Sequence, residues 1–147
     1  MSYLARLTED MKIAMKAGDK DRLSVIRLLR GQLKDGVIAK RAELTTDEEI
    51  SVLSNALKKR RESIEAYQNA GRMDLVQKEQ KELEVIQSYL PAQLSPEEIE
   101  AVVLKVVQET GAQTMKDLGK VMPLVMEQVK GRADGRLVNE LVRKKLI

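Results

Sequence analysis

The sequence predicts an all-α fold: a helical, bundle-like part over residues 1–90 and a small helical part over residues 91–147. Three observations carry this. The 147 residues hold only 3 prolines and 8 glycines and abound in Ala, Leu, Glu, Lys and Gln, the residues that cost least in a helix. Apolar residues recur at three- and four-residue intervals, and no strand pattern is present. Helix start and stop signals stand where the apolar pattern pauses.

The first helix spans residues 4–17, with Leu4, Leu7, Met11 and Met15 on one face and Gly18 at its end. Asp19 caps the second, which runs to about residue 41 with Leu23, Ile26, Leu29 and Leu33 inward and Gly36 inside the pattern. Thr46-x-x-Glu49 reads as a capping box for the third. That helix turns Ile50, Leu53, Leu57, Ile64 and Tyr67 to one side, and Gly71 closes it. The fourth runs over residues 73–89, with Val76, Leu83, Ile86 and Leu90 inward. Helices of this length with short joints suggest an antiparallel bundle.

The division falls in YLPAQLSPEEI, residues 89–99. Pro91 biases Leu90 away from the helical region. Ser95-Pro96-Glu97-Glu98 then restarts a helix, with Ser95 as cap, Pro96 at the first position and Glu98 completing a capping box. This helix carries Ile99, Val102, Val103, Val106 and Val107 to Gly111. Thr114 and Asp117 mark another start. Pro123 is best tolerated if its helix begins near Gly119 after a short separate turn; the alternative is one kinked helix over residues 115–129. A last helix follows Asp134.

Composition excludes several function classes. There is no cysteine and no histidine, so thiolate chemistry, the Ser-His-Asp triad and an ordinary zinc site cannot be built. No catalytic residue, metal or cofactor is assigned. No apolar run approaches the ~20 residues that cross a bilayer, and nothing resembles a signal peptide, so the expected compartment is the cytosol and no membrane partner is expected. The aromatics are three tyrosines, too few to stack bases along a strand. An RNA partner would be held by charge and shape.

The net charge of +3 is unevenly placed: +2 over residues 1–90, −3 over 91–129 and +4 over 130–147. Two groups of cations are candidates for RNA contact. In the tail they are Lys120, Lys130, Arg132, Arg136 and Arg143. In the bundle, Arg27, Arg30, Lys34 and Arg41 line up at helical spacing, with Lys20 seven residues before Arg27. A one-sided row of Arg and Lys is the electrostatic footprint of a nucleic-acid partner. The competing reading is a solvated face whose arginine stems cover apolar surface. Lys58-Lys59-Arg60-Arg61 spreads around its helix and can extend the patch. The clusters Asp47-Glu48-Glu49 and Glu97-Glu98 fall in first helical turns, where carboxylates complement the macrodipole without any metal.

KGRADGRLVNELVRKKL, residues 130–146, reads as a helix stop, a basic turn and a helix start. Gly131 stands at the expected helix end, and Gly135 at a first helical position where a partner's backbone can approach. A helix start offers N–H groups to phosphate, but Asp134 is a strong cap that occupies them. An anion would dock beside it, on Lys130, Arg132 and Arg136.

This segment resembles the closing signature of the GatB/YqeY family. DLGKVM (117–122) and YLPAQLSPEEI are similar to the same pattern, while RLSVIRLL (22–29) and AGRMDLVQKEQKELEVI (70–86) resemble the first half of its stand-alone members. Pro123 departs from it, standing where more helix-compatible residues are usual. The resemblance implies a helical N-terminal part joined to a module like the tail of the B subunit of tRNA-dependent amidotransferase. That enzyme converts Glu-tRNA(Gln) or Asp-tRNA(Asn) to the amide form, and its tail contacts the body of the tRNA. A similar module extends some glutaminyl-tRNA synthetases. The family label "carbon–nitrogen ligase, glutamine as amido donor" is not supported by residues here: no cysteine nucleophile, Ser-Lys amidase region or Gly-rich nucleotide loop is present. The expectation is a non-catalytic adaptor binding tRNA or another structured RNA. The alternative is a protein–protein module that docks on an amidotransferase, an aminoacyl-tRNA synthetase or the ribosome. The oligomeric state is not legible.

Overall fold

The structure, a computed structural model, describes residues 2–146. It is all-α, and no strand occurs among the described residues. The chain forms two compact units, Met1–Pro91 and Ala92–Ile147.

The first unit holds α1 (Tyr3–Ala17), α2 (Lys20–Lys40), α3 (Thr46–Asn69) and α4 (Met73–Gln87). Gly18 ends α1 at φ 69, where a Cβ would be strained, and Asp19 caps α2 by accepting from Arg22 N–H. α2 packs against α1, α3 and α4, so the core gathers around it. Leu7, Ile26, Leu29, Leu33, Leu53 and Ile86 are fully buried there. On α1 the inward position after Met11 is Ala14, and Met15 is 54% exposed, so the face drifts by one residue from the expected one. Gly36 does not interrupt α2; a Cβ on it would stand 3.1 Å from Leu44 Cδ1, so the glycine makes room for that side chain.

The third helix starts one residue earlier than expected. Thr45 and Glu48 form the capping box, not Thr46 and Glu49. Glu49 is 4% exposed, and its carboxylate accepts from the backbone N–H groups of Tyr3 and Leu4 at the start of α1. Two further contacts tie the unit together. The Tyr89 hydroxyl donates to Asp10, and the Arg6 guanidinium lies 5.2 Å from the Tyr89 ring centre and 5.6 Å from that of Tyr3. Arg60 on α3 meets Glu82 (2.8 Å) and Glu79 (3.4 Å) on α4 by charge, without an aligned hydrogen bond from its Nε.

The second unit holds α5 (Pro96–Thr110), a 3-10 turn (Met115–Asp117), α6 (Leu118–Val129) and α7 (Gly135–Lys145). The capping box of Ser95 and Glu98 and the Pro96 start are present. Valines dominate the core: Val103, Val106, Val121, Val125, Val129, Val138 and Val142, with Ile99 and Leu146. Their stiff side chains suit a helix poorly, so α5–α7 rest on packing rather than on intrinsic preference. The separate turn before α6 resolves the alternative left by Pro123, since α6 begins at Leu118. Pro123 still stands inside α6, in its second turn, where it supplies no N–H to the Gly119 carbonyl.

Candidate nucleic-acid interface

The joint between α6 and α7 is held by its own chain. Lys130 (φ −53, ψ 125) and Gly131 (φ 76) are the central residues of a turn in which Arg132 N–H donates to Val129 O at 2.8 Å. These are type II angles, and the third position demands a positive φ, which explains Gly131. Three hydrogen bonds then clasp the joint to residues 92–94. Leu94 N–H donates to Arg132 O (2.7 Å), Gln93 Nε2 to Gly131 O (2.9 Å) and Arg132 Nε to Ala92 O (3.2 Å). Asp134 caps α7 by accepting from Arg136 N–H at 3.2 Å. Gly135 has no positive φ, and a Cβ on it would make only an ordinary 3.8 Å contact with Met126 Cε. The fold therefore does not require that glycine.

The tail cations divide into two kinds. Lys130, Arg136 and Arg143 are exposed, as is Lys120. Arg136 and Arg143 stand two turns apart on one face of α7, about 10 Å along its axis, and Arg143 Nε is oriented by Asn139 Oδ1 at 2.7 Å. Lys144 and Lys145 follow in the last turn, where they complement the negative end of the helix. Arg132 and Lys120 have structural work. Arg132 is half-buried in the clasp, and Lys120 Nζ donates to the Thr110 carbonyl at the end of α5 (3.4 Å). Both also shape nearby carboxyls. Glu98 is held below the usual carboxylate range chiefly by hydrogen bonding with Ser95, with Arg132 adding charge. Asp117 is held down by the N–H groups of Gln113 and Thr114, then by Lys120.

The bundle row does not stay together. Arg27 and Lys34 are exposed on α2, as is Lys20 at its start. Arg30 turns toward α1, with Nε on Thr8 Oγ1 (3.2 Å) and a terminal nitrogen on Met11 Sδ (3.2 Å). Arg41 lies beyond the helix as its cap at φ 60, the one positive-φ non-glycine among the described residues. Arg60 is engaged with Glu79 and Glu82, while Lys58 and Lys59 are exposed. Lys40, just before Arg41, pairs with Glu48, whose carboxyl falls to about 2 through that contact and the Thr45 backbone.

Glu49 is the residue that sequence reasoning missed, because its partner lies 46 positions away. No group of three or more acidic residues suited to a metal ion occurs among the described residues. Among the described residues no helix is long and apolar enough to cross a membrane.

Comparison with known proteins bears on this arrangement. The profile of the family described as "Yqey-like protein" matches residues 4–146. "Altered inheritance of mitochondria protein 41, mitochondrial" of Pyrenophora tritici-repentis is 36% identical over 148 residues, covering 97% of this chain and 78% of that protein. The protein of the same name from Eremothecium gossypii is 39% identical over 90 residues, covering 60% of this chain and 49% of that one. A glutamyl-tRNA(Gln) amidotransferase component of Thermococcus gammatolerans is 42% identical over 57 residues, which is 36% of this chain and 9% of that protein. The chain thus spans most of the first relative, about half of the second and a small part of the third.

Proposed function

Since the chain belongs to the YqeY-like family, we propose that it is a non-catalytic adaptor whose second unit contacts the phosphates of tRNA or another structured RNA. The observation that supports this most directly is the set of exposed cations Lys130, Arg136 and Arg143 around the joint and along α7, continued by Lys144 and Lys145. The likeness to an amidotransferase component named for Glu-tRNA(Gln) directs the choice of RNA. Arg132 acts by holding the joint in shape as well as by its charge, and Lys120 stands at the margin. The spent positions Arg30 and Arg60 and the displaced Arg41 weaken the case for a second RNA contact on the bundle, leaving Arg27 and Lys34 as its remaining candidates.

Affinity in this reading comes from phosphate neutralisation with little base readout. The expected log–log dependence of tRNA affinity on salt has a slope on the order of −4 for four or five contacts. Replacing Lys130, Arg136 and Arg143 by Ala should flatten that slope by about 2–3 while the helical content is kept. Absence of tRNA binding at low salt, or an unchanged slope in the triple variant, refutes the reading. The address belongs to the same proposal. It is the cytosol, with an organellar matrix as the competing address because relatives are named as mitochondrial proteins, and fractionation decides between them.

A further inference from the structure

Pro123 leaves α6 with an acceptor that its own ladder does not use. In an α-helix the carbonyl of residue 119 takes the N–H of residue 123, and proline has none. Gly119 and Pro123 are both exposed, on the side of α6 opposite the buried Val121, Val125 and Val129. The open carbonyl therefore lies on the solvent side of the helix. Gly119 is itself unexplained by the fold. Its φ is not positive, and a Cβ on it would meet nothing within 4 Å, so alanine would suit the helix better. Lys120, the next residue, does not take the carbonyl; its Nζ donates to the Thr110 carbonyl at 3.4 Å.

A partner that fits this turn brings a donor for the carbonyl, an anion for Lys120 and a close approach beside Gly119. An ammonium has three donors, and with one on Thr110 the others of Lys120 are left for an anion. RNA carries a hydroxyl donor beside each phosphate; DNA has the phosphate alone, and a peptide has the N–H without the charge. Glu127, exposed one turn beyond Pro123 on the same face, repels a strand laid along α6, so the strand crosses the helix at Gly119. We propose that the Gly119 carbonyl, opened by Pro123, accepts from a ribose 2′-hydroxyl whose neighbouring phosphate rests on Lys120. The contact selects RNA over DNA without reading a base. It rests on the tail reading above and adds to it a property of the ligand that cations alone do not distinguish.

The affinities of the full chain for a tRNA(Gln) transcript and for the all-deoxy strand of the same sequence, each over a salt series, test this. The wild type should prefer the RNA. Pro123→Ala, which returns an N–H to the carbonyl, should lower that preference about three- to tenfold, the worth of one hydrogen bond. No charge changes, so its salt slope should equal that of the wild type. A higher melting temperature of Pro123→Ala separates this loss from misfolding. Gly119→Ala, also stabilising, should weaken RNA binding at the same slope. Lys120→Ala should reduce the slope by about one. Equal affinity of the wild type for the two strands, an RNA preference untouched by Pro123→Ala, or a slope untouched by Lys120→Ala overturns the inference and leaves the tail reading standing. Binding of neither strand at low salt overturns both.

Discussion

At Tyr89 a buried phenol donates to Asp10, and burial first, then that carboxylate, pushes its ionisation up to about 12. A folded-state value above the ordinary 10 means that its contribution to stability is complete below pH 10 and is lost as the pH rises toward 12. Urea unfolding across that range should show the wild type losing its advantage over Tyr89→Phe. A constant difference between the two would refute the assignment. Glu49 offers a second residue-scale test. Glu49→Ala leaves the Tyr3 and Leu4 N–H groups without their acceptor and should cost about 1–3 kcal/mol in chemical denaturation, with Glu49→Gln milder. Neither role was legible in the sequence, because each depends on a partner 46 or 79 positions away. The same holds for Arg30 and Arg132, which read as surface cations until packing shows what they touch.

Helix starts were legible wherever local chemistry alone decides them. Asp19, Ser95 with Pro96 and Glu98, and Asp134 cap the helices they were expected to cap. The start of α3 slipped by one residue because TTDEE satisfies the capping-box spacing in two registers. The choice falls to Thr45 and Glu48 once Glu49 is drawn to α1. The inward face of α1 slipped likewise, since Ala14 and Met15 both continue the spacing and the smaller residue fits. Two substitutions probe elements. Gly135→Ala should stabilise the second unit by about 0.4–1 kcal/mol, since the fold leaves room for the methyl group, and should weaken RNA binding if a phosphate chain approaches there. Pro123→Ala restores an N–H toward the Gly119 carbonyl and should stabilise α6 by about 1–3 kcal/mol in thermal unfolding.

For the molecule as a whole, the existence of two separate cores is the main physical fact. Leu53→Ala in the first or Val121→Ala in the second removes fully buried atoms. Hydrogen exchange should show lost protection confined to residues 2–91 in one case and 92–146 in the other. All-α character was readable from composition and spacing because it depends on many weak, local preferences at once. The fate of each arginine was not, because it depends on one contact at a time. The carboxylate of Glu49 also carries a consequence for synthesis. α1 is complete in sequence after 17 residues, yet its first two amides wait for an acceptor that emerges only with residue 49. In a nascent chain arrested before α3 leaves the ribosome the Tyr3 and Leu4 amides should therefore exchange their hydrogens rapidly, and in one arrested after it they should be protected.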